Sequence, residues 1–295
     1  MSGYRFLGGA TALVSLFALG GSAAAEAAGH YHIFPATSFA SRNMPVPPAS
    51  DMNYYGGSVF SSVKLVSVIW NKDVLQATKD QIPLFSAAIV NSTYVDKMRE
   101  YSTKGVHTIN GHKGTKQVIQ RGTYLGQVQL TPHNGSKSLS DTDVQTEIKR
   151  QIAEGVLPPR DPNTLYMIYF PSNITITLDG LVSCQSYGAY HFATNDAKIA
   201  PKSNVFYSVE PECNAGFDFL TFAASHEYAE ATTDNVPTPG SNPDFPQAWN
   251  DSAGYEIGDK CGNSGTLTSQ AGSWVVTQYY LNSLHGCSTG NYTSL

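Results

Sequence analysis

Residues 217–234 read FDFLTFAASHEYAEATTD, and this stretch decides the fold. In a helix, His226 and Glu230 are four positions apart and share one face. Glu227 lies beside them, offset by one residue. Two ligands at that spacing can hold one metal ion, while Glu227 can reach water beside it. This is the mechanical content of the zincin helix H-E-x-x-H, with Glu230 in place of the second histidine. The competing reading is a solvated amphipathic helix. The flanks argue against it, because FLTFAAS precedes the polar residues and alanines and Tyr228 surround them. A helix apolar on all sides is buried, and a buried carboxylate needs a partner or a metal. Lys and Arg are absent from 203 to 259, so the local sequence supplies no cation.

A third ligand is sought downstream. AWNDSAGYEIGDKC (248–261) contains Asp251, Glu256 and Asp259. Glu256 and Asp259 are three apart and face the same way on a helical turn. One can bind metal while the other holds the ring of His226; Glu256 as ligand and Asp259 as orienting partner is preferred, with the reverse open. The candidate metal residues are therefore His226, Glu230, Glu256 and Asp259, and the expected ion is zinc. Glu227 is the candidate general base. His191, in SYGAYHF (186–192), is a further catalytic candidate, either a ligand or a donor to a developing oxyanion; a lone histidine is also commonly structural. His285, His30 and His32 carry weaker signals.

The chain around this helix has 295 residues, of which 41% are hydrophobic and only 14% charged, with a net charge of −5. No basic block suggests nucleic-acid or anionic-membrane binding. The low charge is ordinary for an exported protein. The N-terminus agrees: Arg5 precedes an apolar run from Leu7 to Leu19, followed by small residues and A-x-A at Ala23–Ala25. Residues 1–25 are expected to be a signal peptide and 26–52 an extended leader. Residues 53–295 are expected to form one domain, with sheet and helices over 53–235 and a loop-rich part over 236–295. Four cysteines in an exported chain favour two disulfides. The sequential pairing, Cys184–Cys213 with Cys261–Cys287, closes the shortest loops.

Further elements follow from periodicity. SSVKLVSVIWN (61–71), TLYMIYFP (164–171), SNVFYSVEP (203–211) and SWVVTQYYL (273–281) read as strands. Residues 78–102 read as two helices joined near Asn91. Residues 138–159 read as a helix capped by Ser140 or Asp141, and 107–130 as a hairpin with Gly-rich turns. The expectation is an α+β domain with the 217–233 helix packed on a mixed sheet, followed by an irregular, disulfide-bonded tail.

The segments YYGGSVFSSVKLVSVIW (54–70), TLYMIYFP, ASHEYAEATTD, Trp249-Asn250-Asp251 and YEIGDKC together resemble a family of secreted bacterial and fungal proteins related to the plant phosphate-induced, or exordium-like, proteins, which carry similar HELAE and EIADLC segments. The likeness spans about residues 50–290. It implies secretion and a zincin-like fold. The order of ligands also resembles the gluzincin metallopeptidases, with a Glu some tens of residues after the helix. Glu230 in place of the second His departs from that pattern. The function implied is a secreted zinc-dependent hydrolase acting on polypeptide, with Glu227 as base. The alternative is a non-catalytic extracellular module that binds a wall polymer or a partner and keeps a structural metal.

Overall fold

The computed structural model describes residues 33–36, 50–194, 204–237 and 245–295. The expected signal peptide, most of the leader, and His30 and His32 lie outside them.

The chain folds as a mixed α+β protein with several sheets and, among the described residues, four helices. The main sheet has six strands: β1 (Ile33–Pro35), β2 (Ser62–Ile69), β3 (Gln120–Gln129), β4 (Thr164–Phe170), β5 (Tyr187–Ala193) and β6 (Phe206–Pro211). Their spatial order is β1-β5-β6-β4-β2-β3. β3, β2, β4 and β6 run parallel. β5 runs antiparallel to both β6 and β1. The central strands are near-continuous apolar runs because both faces are covered. β4 is buried at every position.

Alternation on the strands sorts residues between two cores. Leu65, Leu165, Met167 and Tyr169 face helices α1 (Gln76–Val90), α2 (Thr93–Met98) and α4 (Phe217–Thr233). Val66, Val68, Tyr166 and Ile168 face helix α3 (Asp141–Ala153). The junction of α1 and α2 falls at Asn91, and Ser140 caps α3 in a reciprocal box with Asp143. α1 tolerates Pro83 at its middle: the carbonyl of Lys79, which a proline cannot reach, accepts from Gln127 Nε2 at 3.2 Å.

Two expectations are corrected. Residues 107–130 are not a hairpin. A single bridge joins His107 and Lys113, and Gln120–Gln129 is a strand parallel to β2 with two register shifts. Gly122 serves the close approach of the two strands, since a Cβ there would lie 2.2 Å from the Val63 carbonyl oxygen, and Gly126 takes a positive φ of 115° at the second register shift. The tail holds the strand expected over 273–281 but is more regular than expected. Strands β7 (Ser264–Ser269), β8 (Gly272–Thr277) and β9 (Asn291–Thr293) form a sheet in the order β8-β7-β9. β8 lies along the outer side of α4: Thr221 Oγ1 donates to the Val275 carbonyl at 2.7 Å, and Thr277 N donates to Ser225 Oγ at 2.8 Å.

Both disulfides have the sequential pairing, Cys184–Cys213 and Cys261–Cys287. The first ties the start of β5 to the loop leaving β6. Two disulfides point to an oxidising, extracellular type of environment. No helix among the described residues is long and apolar enough to cross a membrane.

Candidate metal centre

With the main sheet on one side and β8 on the other, α4 is buried from Phe219 to Thr233. Its polar residues aim at β5, at the C-terminal end of β6, and at the loop 256–259. His226, Glu227 and Glu230 are all at most 1% exposed.

His226 Nε2 lies 2.9 Å from Glu230 Oε1 and 3.7 Å from Asp259 Oδ1. The loop is held there by its own backbone: Asp259 N donates to Glu230 Oε1 at 3.1 Å, and Glu256 N donates to Asp259 Oδ2 at 3.0 Å. Only glycine fits at 258, since a Cβ would sit 2.8 Å from both Glu230 Oε1 and His226 Nδ1.

His191, on β5, faces the same cluster from the sheet. Its Nε2 is 3.0 Å from the Asp234 carbonyl oxygen, which can only accept, so Nε2 carries the proton. Its Nδ1 then presents a lone pair, 3.1 Å from Glu227 Oε2 and 3.8 Å from Glu230 Oε2. A ring whose N–H is fixed by a backbone carbonyl is the usual posture of a metal-binding histidine. Of the two roles considered for His191, this tautomer suits the ligand rather than the oxyanion donor. Glu256 Oε1 stands 3.7 Å from His191 Nε2.

The structure thus brings His191, His226, Glu227, Glu230, Glu256 and Asp259 together. Two groups have the spacing to hold a metal ion, His191–Glu230–Glu256 and His226–Glu227–Glu230, and Glu230 belongs to both. Asp251 is not part of the cluster. It forms a buried ion pair with Lys260 at 2.6 Å and accepts from Ala253 N and Tyr255 N. His285 is exposed and pairs with Asp51.

Two acidic members escaped the sequence reading. Glu210, at the end of β6, is fully buried beside Glu227, and Asp234 closes α4. The signal for Glu210 was a lone acid within an apolar strand, SNVFYSVEP.

Charge in this cluster is out of balance. Burial pushes Glu227 up to about 8, with the His226 charge opposing. Burial and then Asp259 push Glu230 up to about 7. Glu210, Asp234 and Glu256 are held well above the carboxylate range, in each case chiefly by burial. Burial disfavours a charged His226, yet Glu230, Asp259 and Glu227 outweigh it and raise the ring well above the usual histidine range. Burial lowers His191. A neutral His191 Nδ1 facing Glu227 Oε2 is satisfied when that carboxyl is protonated and donates, which agrees with the raised value for Glu227.

A divalent cation fits these residues. Ligand atoms bound at about 2.1 Å in a tetrahedron are separated by about 3.4 Å; Glu230 Oε1 lies 2.9 Å from His226 and its Oε2 3.8 Å from His191, one spacing on each side of that value and each in its own candidate group. Glu230 Oε2 and His226 Nδ1 are buried and make no hydrogen bond, so the protein alone leaves the cluster incompletely answered. The sequence matches no protein-family model, and comparison with curated proteins and with solved structures gives no match.

Proposed function

We propose that the chain is an exported zinc-dependent hydrolase of zincin-like architecture that cleaves polypeptide, with residues 1–25 as its export signal. The observation that carries this reading is the buried, shared Glu230 carboxylate, flanked by His226 and His191 with a cation-sized spacing and an unanswered oxygen. His191, Glu230 and Glu256, with His226 on the other side of Glu230, would hold the ion, and Asp259 stands 3.7 Å from the His226 ring. Mixed imidazole and carboxylate donors suit zinc. When bound, the ion would supply Lewis-acid activation of a scissile carbonyl and of water.

The remaining steps fall to the chain. Glu227 takes a proton from the attacking water as its oxygen bonds to the carbonyl carbon. It then returns that proton to the leaving nitrogen as the C–N bond breaks. Burial raises Glu227 in the metal-free chain, and a cation bound beside it would pull it back down, leaving an ionised carboxylate to accept the water's proton. The motif resemblance to exordium-like proteins and the two disulfides are consistent with work outside the cell.

A second reading rests on one observation. His226, Glu227, Glu230 and Glu256 are at most 1% exposed, as suits a closed structural site, which has four protein ligands. A non-catalytic extracellular module with a structural ion would look like this. One experiment separates the readings. Metal analysis of protein purified without chelator should find about one zinc per chain, lost in His226→Ala and kept in Glu227→Gln. Peptide-library cleavage should fall by at least about 10²-fold in Glu227→Gln. Cleavage that survives both chelation and Glu227→Gln defeats the hydrolase mechanism. Bound zinc without any cleavage supports the structural module.

A further inference from the structure

A buried catalytic site must be uncovered, and the structure shows what lies over it. β1 is the edge strand of the main sheet and comes from the segment expected to be an extended leader. It pairs antiparallel with β5, with Ile33 opposite Tyr190 and Phe34 opposite Ala189. The opposite edge of β5 is taken by β6, so β1 occupies the one edge of β5 that an outside strand can reach.

Phe34 is completely buried. Its ring packs 5.4 Å from Phe222 and 5.9 Å from Phe219, and 5.2 Å from the ring of His226 itself. Its backbone N–H faces the Glu227 carboxylate and lowers the pKa that burial raises. The leader thus touches both the first ligand and the base. The receiving side is shaped for it. Gly188 leaves the room, since a Cβ there would lie 2.6 Å from Phe219 and 2.9 Å from Phe34. The Cys184–Cys213 disulfide braces this corner, with Cys213 packed against the same aromatic cluster.

We propose that Ile33–Phe34–Pro35 sits in the chain's own substrate site, so that the edge of β5 and the Gly188/Phe219/Phe222/His226 pocket accept an extended peptide carrying an aromatic side chain. This rests on the reading of His226 and Glu227 as site residues. Main-chain pairing on the edge strand gives affinity whatever the sequence, and the aromatic pocket gives choice. The leader is a tethered competitor: its high effective concentration keeps the site shut until it is displaced or removed. The proline after Phe34 suits an edge position, because it has no N–H to place in a ladder.

The test uses the full chain and a fluorescent, end-blocked peptide with the sequence of residues 31–36, YHIFPA. Phe34→Ala should empty the pocket and raise affinity for this peptide at least about tenfold over wild type. Phe34→Leu should stay closed. A control peptide with Ala in place of its Phe should lose the gain. Phe34→Asp repeats the measurement if Phe34→Ala does not fold. Equal binding to wild type and to both folded variants, or no binding to either variant, overturns the proposal. Cleavage of aromatic peptides should rise in Phe34→Ala. Peptide binding is read in chelator as well, so a chain that binds the peptide but holds no metal defeats the hydrolase reading and leaves this one standing. A zinc-loaded wild type that cleaves as fast as Phe34→Ala defeats this one and leaves the hydrolase.

Discussion

Two helices on opposite faces of the main sheet each bury carboxylates, and they treat them differently. On α3, Asp141 Oδ1 accepts from Tyr190 OH at 2.7 Å and Tyr207 OH at 2.6 Å, and Oδ2 from Gln145 Nε2 at 2.7 Å. Glu147, 1% exposed, pairs with Arg150 and accepts from Gln151 Nε2 at 2.6 Å. Both acids are answered by neighbours the protein supplies. On α4, Glu227 and Glu230 face other acids, and Glu230 keeps a bare oxygen. The fold can satisfy a buried acid when nothing else is wanted of it. The helix where it does not is where a ligand is expected.

Removing the ligand should therefore damage one side only. An ion present at a thousandfold over its Kd stabilises by about 4 kcal/mol, which for a chain of this size corresponds to about 10 °C. Chelation should lower the Tm of wild type by about that amount. In Glu230→Ala the shift should vanish, and in Asp141→Asn it should persist. A wild-type Tm indifferent to chelator would place α4 in the same class as α3.

How much of this contrast was written in the sequence depends on distance along the chain. The 217–233 helix, its His226–Glu230 spacing and its burial follow from a local pattern, as does the capping box at Ser140. Glu256 and Asp259 were legible because they are three apart. The role of Glu210 was not, since an acid at a strand end says nothing until β6 is known to lie beside α4. Gly122 misled because Gly marks both a turn and a close strand approach, and only the parallel partner decides between them. The tail misled in part: β8 was legible in SWVVT, whereas β7 and β9 are short, polar, Thr-bearing strands whose weak alternation gives no signal until β7 pairs with both β8 and β9. Above all, nothing in the leader announced that Phe34 would meet His226.

The comparison sharpens with pH in the metal-free protein. Glu230 at about 7 and Glu227 at about 8 lie above their ordinary 4.5. Glu210, Asp234, Glu256 and His226 are also raised. Between pH 5 and 8 the folded chain thus binds more protons than the unfolded chain, so stability falls as pH rises. His191, lowered by burial, acts in the opposite sense, but only below its ordinary 6.5. The apo Tm should drop by several degrees from pH 6 to pH 8.5. With the ion present the trend should flatten or reverse, because metal binding displaces those protons and tightens as pH rises. An apo Tm that climbs over this range would mean that the acids of α4 are already paired.

The smallest effect is the most discriminating, because it is made one residue at a time. Glu147→Gln on α3 keeps the shape but removes the charge that Arg150 and Gln151 answer. Losing charge-assisted bonds at a buried position should cost about 1–2 kcal/mol, with or without chelator. Glu230→Gln on α4 makes the same change where the charge is crowded by Asp259 and Glu227. In chelator at pH 8 it should be neutral or stabilise by about 1 kcal/mol, since an ill-answered buried charge is gone. The lost contact with a protonated His226 works against this gain and caps it. With zinc present the same substitution should destabilise, because a ligand is lost. Denaturant midpoints of the two variants, each with and without chelator, give the comparison directly. A sign change for Glu230→Gln and none for Glu147→Gln marks Glu230 as a ligand. The same sign in all four measurements removes the distinction between the two helices, and with it the argument for an ion at α4.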